Sequence, residues 1–490
     1  MTDTVRPAAD LLRELTELRE AVAREGRESY RRWRPGIGRR RFRVSALNLA
    51  HYLALRHRDL RELQRELMAH GLSSLGRLEG RVLANLDATL GALRAVNGRP
   101  APHYPRPKAF FRGERLLEAD TVELLGPTGG RGVRILVTLP SEAATTPSLL
   151  VDLLRQGMDA VRINCAHDDA DAWAAMVANL RAAEAVTGRR ARILMDLGGP
   201  KCRVGTVEGP KEERRLGTGD RFLLVSGSFL SDGEAAIQAT CTIPGAVEKL
   251  RQGDPVFLDD GKLAGVVDRV LAGGAEVRVT QALPDGVKLK ADKGLNFPAT
   301  DLGLTALTEE DRRDLDFVAR TADLIGYSFV QSGNDIRLLQ EELATRRPDD
   351  WHRIGLVAKI ETPVAVRNLP EIIVQAASHQ PFGVMIARGD LAVAIGFERL
   401  AEMQEEILWI CEAAHVPVIW ATQVLESLVK KGLPTRGDMT DAAMAARAEC
   451  VMLNKGPHVV EAVALLDRLL TRMAEHQTKK TPKLRALRSW

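Results

Sequence analysis

The chain is 490 residues long, 45% hydrophobic and 27% charged, with 69 basic against 65 acidic side chains and a formal net charge of +4. It is too apolar for a disordered chain, has no apolar run near the ~20 residues that cross a bilayer, and is too evenly charged to coat polyanions, so neither membrane nor nucleic acid is an expected partner. Five scattered cysteines without a C-x-x-C pair, and an N-terminus with acids and no apolar signal core, point to a reducing cytoplasm rather than to a disulfide scaffold, a structural zinc site or secretion.

Residues 1–130 are expected to form a helical extension. Leu11, Leu12, Leu15 and Leu18 recur at helical spacing. A second pattern runs through LNLAHYLALRHRDLRELQRELMAHG as one element to Gly71, and a third covers Gly80–Ala95. Between the first two lies RRWRPGIGRRRFR, with seven arginines from Arg31 to Arg43 and no acid. A solvated face or a contact with acids of another domain is expected there ahead of nucleic-acid binding, for which Trp33 alone is weak aromatic support. The Pro-rich NGRPAPHYPRPKAFFRG has the character of a linker.

From about Gly132 the pattern changes. The apolar runs are VRILVTL, AVRINCA, RILMDLG, LIGYSF, IGLVAKIE, GVMIARGD, VPVIWATQ and ECVMLNK. Seven of the eight lead directly into helical patterns such as DAWAAMVANLRAAEAV or FERLAEMQEEILWICEAA. Apolar runs joined by helices make a parallel sheet. Eight such units, with no G-x-G-x-x-G opening the first, favour a closed (β/α)8 barrel over an open sheet. The barrel is expected over 131–204 and 298–480, with 481–490 as a tail. Residues 205–297 interrupt it with short β-type runs (RFLLVSG, AIQATCTI, PVFLDDG, EVRVTQAL) between turn signals. They suggest an inserted small all-β domain placed to act as a lid.

Barrel enzymes build their sites at the C-terminal ends of the strands. The polar residues there are Arg162 with Asn164, Asp196, Ser328, Lys359 with Glu361, Asp390, Thr422, and Asn454 with Lys455. Charges inside apolar runs are costly unless paired or metal-bound, and Lys359 and Glu361, two apart on a strand, share a face. An ion-pair network would explain one such pair; polar groups on nearly every strand end indicate a site. Glu361 and Asp390 are too few for a calcium cage but suit Mg²⁺, and Arg162 and Lys359 suit a phosphate. The expected substrate is therefore anionic, phosphorylated and bridged to a divalent ion.

The segments VRINCAHD, MDLGGPKCR, FLDDG, KGLNFP, AKIET, IARGDLA and ATQVLESLVKKGLPTRGD resemble the signature segments of the pyruvate kinase family, in the same order, over about residues 131–475. The inserted β domain falls where that family carries its lid. The resemblance implies a cytoplasmic, homo-oligomeric phosphotransferase that converts phosphoenolpyruvate and ADP to pyruvate and ATP with Mg²⁺, or Mn²⁺ in its place. It implies that Lys359 contacts the transferring phosphoryl group and the enolate oxygen, and that Glu361 and Asp390 bind the metal. The backbone of Gly389 and Asp390, with the Thr422 hydroxyl, would hold the substrate carboxylate, and Thr422 would begin the proton-donor network. Arg162, with Asn164 and Ser328, would grip the phosphoryl group. His167, Arg203 and Lys293 would meet nucleotide phosphates.

The chain also departs from that pattern. The family's K⁺ site draws on Asn, Ser, Asp and Thr; here the positions hold Asn164, Ala166, Asp196 and Leu197. Lys201 stands where many members have Glu. The expectation is that its ammonium replaces the monovalent cation, so that K⁺ is not required; the alternative is a surface lysine in a loop. The loop in MLNKGPHVVEAV is shorter than the family's, and Ala394 replaces a common acid, which bears on nucleotide affinity. Because the last helical pattern of the barrel runs close to residue 490, the family's C-terminal regulatory domain is not expected in this sequence. Two other readings compete: a Mg²⁺-dependent lyase or aldolase acting on pyruvate or oxaloacetate enolates, which the altered nucleotide loop keeps open, and a non-catalytic regulatory protein. Retention of Lys359, Glu361, Asp390 and Thr422 argues against the second.

Overall fold

The computed structural model describes residues 6–100, 104–210, 215–230, 236–259 and 261–483. Eight parallel strands close into a barrel: β1 (Arg134–Thr138), β2 (Ala160–Asn164), β3 (Arg192–Asp196), β4 (Leu324–Tyr327), β5 (Gly355–Ile360), β6 (Phe382–Ala387), β7 (Val418–Ala421) and β8 (Cys450–Leu453). Each pairs with its neighbours in sequence, and β8 closes on β1 through Arg134↔Cys450 to Val137↔Leu453. Capping boxes start three of the intervening helices: Thr308 with Asp311, Ser332 with Asp335, and Thr435 with Asp438. Each reciprocal pair satisfies backbone N–H groups that the first helical turn leaves unpaired.

After β3 the chain leaves the barrel into a mixed seven-stranded sheet. Its order is Leu295–Asn296, Pro255–Leu258, Leu263–Leu271, Gly274–Ala282, Arg221–Val225, Gln238–Cys241 and Val204–Glu208. Phe222, Leu224, Val256, Leu263, Val277 and Leu295 give it an apolar core separate from that of the barrel. Outgoing and returning legs pair at the stem, where Val204 N–H donates to Lys293 O at 2.7 Å and Leu295 N–H to Cys202 O at 2.9 Å. The SDGE turn signal and Asp260 of DDGK lie outside the described residues, as do residues 484–490 of the expected tail.

The N-terminal helices share the barrel's outer core. In Ala8–Trp33, Leu11, Leu15, Leu18 and Val22 are buried together with Leu49 of Phe42–Arg56 and Leu86 of Val82–Val96. Asn48 anchors this layer on the barrel by donating to Ala413 O at 2.8 Å. The single helix expected up to Gly71 is two, Phe42–Arg56 and Arg61–Ala69. The break falls at RDL, where the Asp59 carboxylate accepts from Arg61 N–H at 3.1 Å and competes with the helical ladder. The third helix runs Val82–Val96, preceded by a short 3-10 turn at Glu79–Arg81.

The linker reading holds for part of its segment only, because a helix starts at Pro107, where proline's missing N–H costs nothing, and after a break Arg112–Leu125 follows. This second helix seals the barrel floor. Leu124 and Leu125 cluster with the interior residues Leu136, Leu194, Leu324, Val357, Met385 and Ile419. A Cβ on Gly355 or Gly383 would lie 2.7 or 2.6 Å from a Leu124 methyl, so both positions are bare where the plug enters. The arginine run meets acids of this helix: Arg39 pairs with Glu123 at 2.9 Å and Arg41 with Asp120 at 2.9 Å.

Candidate active site

At the opposite end of the barrel, a cavity of about 350 Å³ lies between the strand ends and the lid stem. It is lined by Arg162, Asn164, His167, Lys201, Arg203, Lys293, Ser328, Lys359, Glu361, Gly389, Asp390 and Thr422, so these candidates face one space; Asp196 lies buried beneath it, and Asn454 and Lys455 do not line it.

The centre is a chain of alternating charges. Asp196, fully buried at the end of β3, accepts from Arg162 Nε at 2.8 Å and lies 3.3 Å from Lys359 Nζ. Lys359 Nζ is 3.2 Å from Glu361 Oε1 and donates to Ser328 Oγ at 2.6 Å, and Ser328 Oγ–H donates to Leu197 O at 2.7 Å. Strand register sets this up: Asn164 pairs with Asp196 across β2–β3, and Gly326 pairs with Asp196 across β3–β4. A Cβ on Gly326 would stand 2.4 Å from Asp196 Oδ1, so glycine makes the space for that carboxylate.

Burial opposes every one of these charges. For Asp196, Lys359 and Arg162 outweigh burial and hold the carboxyl below its ordinary range. For Lys359, the carboxylates of Asp196 and Glu361 outweigh it and raise the ammonium. Glu361 goes the other way. Burial pushes its carboxyl up, Lys359 only partly offsets this, and the charge of Asp390 adds to the rise.

Asp390 lies in the first turn of the helix Arg388–Ile395, which follows β6 directly. It accepts from Lys201 at 3.1 and 3.3 Å and from Asn296 Nδ2, on the returning leg of the stem, at 3.4 Å. Arg388 ties this helix to β7 by donating to Ala421 O at 3.0 Å and to Asp441 at 2.8 Å, with its guanidinium 5.0 Å above the Trp420 ring. Thr422 Oγ is buried with no hydrogen-bond partner and faces the backbone of Gly389, where a Cβ would approach it to 3.2 Å. An unpartnered hydroxyl beside two backbone N–H groups at a helix start is an arrangement that accepts a carboxylate.

On the lid side, Lys293 donates to Asp259 at 2.8 Å and Arg203 to Asp292 O at 3.0 Å. His167 lines the cavity with its imidazole pKa lowered, first by burial and then by Lys455 and Arg203. Thr138 and the Phe329 N–H did not stand out in the sequence. Thr138 accepts from Arg162 at 3.2 Å, and its place at the end of the VRILVTL run was a signal that could have found it. Phe329, in a left-handed conformation after β4, donates from its backbone to Glu361 at 2.6 Å. No residue-type pattern announces a backbone donor.

Mg²⁺ fits the donor set. Two buried or half-buried carboxylates, Glu361 and Asp390, flank one cavity, and Mg²⁺ commonly takes one or two protein carboxylates and completes its shell with water and substrate oxygens. Among the described residues no group of three or more His, Cys, Asp or Glu could cage a metal by itself.

Eight parallel strands, an inserted sheet and a charged mouth define a (β/α)8-barrel protein with its candidate site at the strand ends. Residues 130–462 match the pyruvate kinase barrel domain, and the chain belongs to the pyruvate kinase family. It is 32% identical over 364 residues to pyruvate kinase PKLR of Homo sapiens (71% of this chain, 61% of the relative), and 33% identical over 349 residues to pyruvate kinase of Geobacillus stearothermophilus (70% and 57%). The chain thus spans about three-fifths of those relatives. A crystal structure of a pyruvate kinase from Cryptosporidium parvum superposes with a TM-score of 0.62 at 27% identity, covering 73% of this chain and 70% of that one. Among the described residues no helix is long and apolar enough to cross a membrane.

Proposed function

We propose that the chain transfers the phosphoryl group of phosphoenolpyruvate to ADP in a Mg²⁺-dependent, K⁺-independent reaction. The observation that carries this reading is the Arg162–Asp196–Lys359–Glu361 chain at the strand ends, with Ser328 locking Lys359. Phosphoryl transfer needs positioning and charge stabilisation more than covalent chemistry. Arg162 and Lys359 supply fixed positive charge where the phosphoryl and enolate oxygens develop theirs, and Asp196 holds both in place. Gly389, Asp390 and Thr422 seat the substrate carboxylate, while Asn164 and Ser328 border the phosphoryl position. Glu361 and Asp390 would hold the metal, which would supply charge neutralisation for an anionic substrate. His167, Arg203 and Lys293 face the nucleotide phosphates from the lid side.

The K⁺ independence rests on the donor set. Ala166 and Leu197 bring no side-chain oxygen, and Asp196 Oδ2 is taken by Arg162 and Lys359. Asn164 Oδ1 faces the Ala166 N–H at 3.3 Å. Lys201 supplies the additional positive charge from the facing loop, which the Gly199 N–H ties to the capping carboxylate of Asp311 at 3.2 Å.

The test is pyruvate formation from phosphoenolpyruvate and ADP, followed with and without Mg²⁺. Turnover that needs both ADP and Mg²⁺ supports the reading. Cleavage or exchange of pyruvate or oxaloacetate without nucleotide, and no ATP, would replace it with the lyase reading.

A further inference from the structure

Cys202 and Cys241 are far apart in sequence, yet paired strands bring both to the lid core, and the Cys241 thiol donates to Ile243 O at 3.1 Å. The strand Val204–Glu208 pairs antiparallel with Gln238–Cys241 through Val204↔Cys241, and pairing continues one residue further, where Thr242 N–H donates to Arg203 O at 2.9 Å and Arg203 N–H to Thr242 Oγ at 2.9 Å. Cys202 lies two residues before Val204, so it stands diagonally across from Cys241 on the same face. Cys202 is buried in the lid core and Cys241 is partly exposed, so one sulfur of the pair is open to a small solute.

The position gives the pair its interest. Cys202 is on the outgoing leg of the lid stem, where its carbonyl accepts from Leu295 N–H on the returning leg. Its neighbours Lys201 and Arg203 both line the active-site cavity. Alternation along the extended chain turns those two side chains to the cavity and Cys202 to the lid interior.

We propose that Cys202 and Cys241 form a reversible disulfide when the protein meets a hydroperoxide, and that this bond fastens the lid stem to the strand Gln238–Cys241. Cys241 is the attacking sulfur. Its thiolate attacks the peroxide, the O–O bond breaks, Cys241 becomes a sulfenic acid and the first water leaves. The Cys202 sulfur then displaces the sulfenic hydroxyl, the S–S bond forms, and the thiol proton leaves with that hydroxyl as the second water. Two thiols and one hydrogen peroxide thus give one disulfide and two waters, with two electrons passing from sulfur to peroxide. The division of labour follows from the environment. Cys241 is partly exposed and Cys202 is buried, so a peroxide from solvent meets Cys241 first. Burial raises the thiols of Cys165, Cys411 and Cys450, which leaves those three inert.

The test uses the full reduced chain, treated with hydrogen peroxide, alkylated with iodoacetamide and digested without reductant. The expected result is a mass loss of about 2 Da, for the two hydrogens of one disulfide, and a single peptide pair joining Cys202 to Cys241 that dithiothreitol separates. Cys165, Cys411 and Cys450 should take up alkylating agent only after unfolding. In Cys202→Ser, peroxide should leave Cys241 as a sulfenic acid with no linked peptide pair. Amide hydrogen exchange across residues 202–204 and 238–243 should slow in the oxidised protein. A peroxide-treated chain in which Cys241 is over-oxidised while Cys202 stays alkylatable, or in which the link joins other cysteines, would overturn the pairing. A linked chain with unchanged exchange would overturn the fastening of the stem. Neither result depends on turnover, so the inference stands or falls separately from the proposed reaction.

Discussion

Lys201 donates to both carboxylate oxygens of Asp390, at 3.1 and 3.3 Å, across the mouth of the barrel. The pair joins the loop after β3 to the helix after β6, and it sets a lysine of that loop against a carboxylate assigned to the metal. Under the proposed function Lys201 would act on two things at once: it would compete with the divalent ion for Asp390, and it would supply fixed positive charge where oxygen ligands for a monovalent ion are missing. In Lys201→Met, Mn²⁺ should bind the ligand-free protein a few-fold more tightly, read by water proton relaxation, while turnover falls by about tenfold or more through lost charge stabilisation. Wild-type turnover in K⁺ and in Na⁺ at equal ionic strength should agree within about twofold, and K⁺ should not rescue the variant, because Ala166 and Leu197 still offer no oxygen. Strong activation of the wild type by K⁺ over Na⁺ would rule this role out.

Glu361 tests the metal assignment. Glu361→Gln keeps an acceptor for the Phe329 N–H, now at 2.6 Å from Oε2, and nearly the same volume. The fold should survive, with an unchanged melting temperature, while divalent-ion binding weakens and kcat drops by about 10²-fold or more. Near wild-type turnover in this variant would move the metal elsewhere.

For Lys359, the expected signature is a loss in kcat. The ammonium is held by Asp196, Glu361 and Ser328 before any substrate arrives, so it is preorganised for charge that grows during the reaction. Lys359→Met should lower kcat by about 10²-fold or more, as for other preorganised donors. A change confined to KM would make Lys359 a substrate-binding group only.

Most of this site was legible because barrel topology converts sequence position into spatial position. Once the apolar runs are recognised as strands, their last polar residues must converge, and Arg162, Lys359, Glu361 and Asp390 do around one cavity, with Asp196 paired to the first two. The internal wiring was not legible. That Asp196 serves Arg162 and Lys359 together depends on the β2–β3 and β3–β4 registers, and that Lys201 reaches Asp390 depends on a loop turning back over the mouth. The plug helix Arg112–Leu125 was obscured because Pro-rich sequence leads into it and its apolar face meets the barrel floor through few residues. The cysteine pair escaped notice because spacing along the chain carries no information about a diagonal contact between strands.

Acid should loosen the attachment of the N-terminal layer through His415. This residue precedes β7 and is buried. Its Nε2 bonds the Gly80 carbonyl at 3.0 Å, so Nε2 carries the proton, and Nδ1 accepts from Ser45 Oγ at 2.9 Å. Burial lowers its pKa to about 4, below the ordinary value of 6.5. A histidine with a depressed folded-state pKa takes up its proton in the unfolded chain first. Its neutral form thus favours the fold fully above about pH 6.5, and stability falls as pH drops from 6.5 towards 4. Burial also lowers His51 to about 4, so both act in the same window. Thermal melting from pH 7.5 to 4.5 should show a decline below 6.5 that is shallower in His415→Gln, on the order of 1–2 kcal/mol less over the range. Equal slopes for variant and wild type would remove His415 from the account.

The plug makes a prediction about pairs of substitutions. Leu124 enters the barrel floor where Gly355 and Gly383 leave their backbones bare, and a Cβ at Gly383 would lie 2.6 Å from a Leu124 methyl and 3.2 Å from the Pro417 carbonyl. Leu124→Ala removes buried methyl groups and should cost about 2–5 kcal/mol by urea unfolding, the range for leucine truncation in a packed core. Gly383→Ala alone overpacks the same space and should cost about 1–3 kcal/mol. Because the added methyl and the lost ones compete for one volume, the two changes should not add. The double variant should be more stable than the sum of the single losses predicts by about 1 kcal/mol or more, the scale of coupling between residues in contact. The Pro417 carbonyl limits the rescue, since it remains close to any Cβ at 383. Gly355→Ala provides the comparison, with Leu124 at 2.7 Å and the Leu324 side chain at 3.2 Å. It should couple to Leu124→Ala in the same direction but less completely, because Leu324 cannot retreat from the interior. Strict additivity in both cycles would mean that the helix end is free to shift and that Leu124 is not what keeps these two positions glycine.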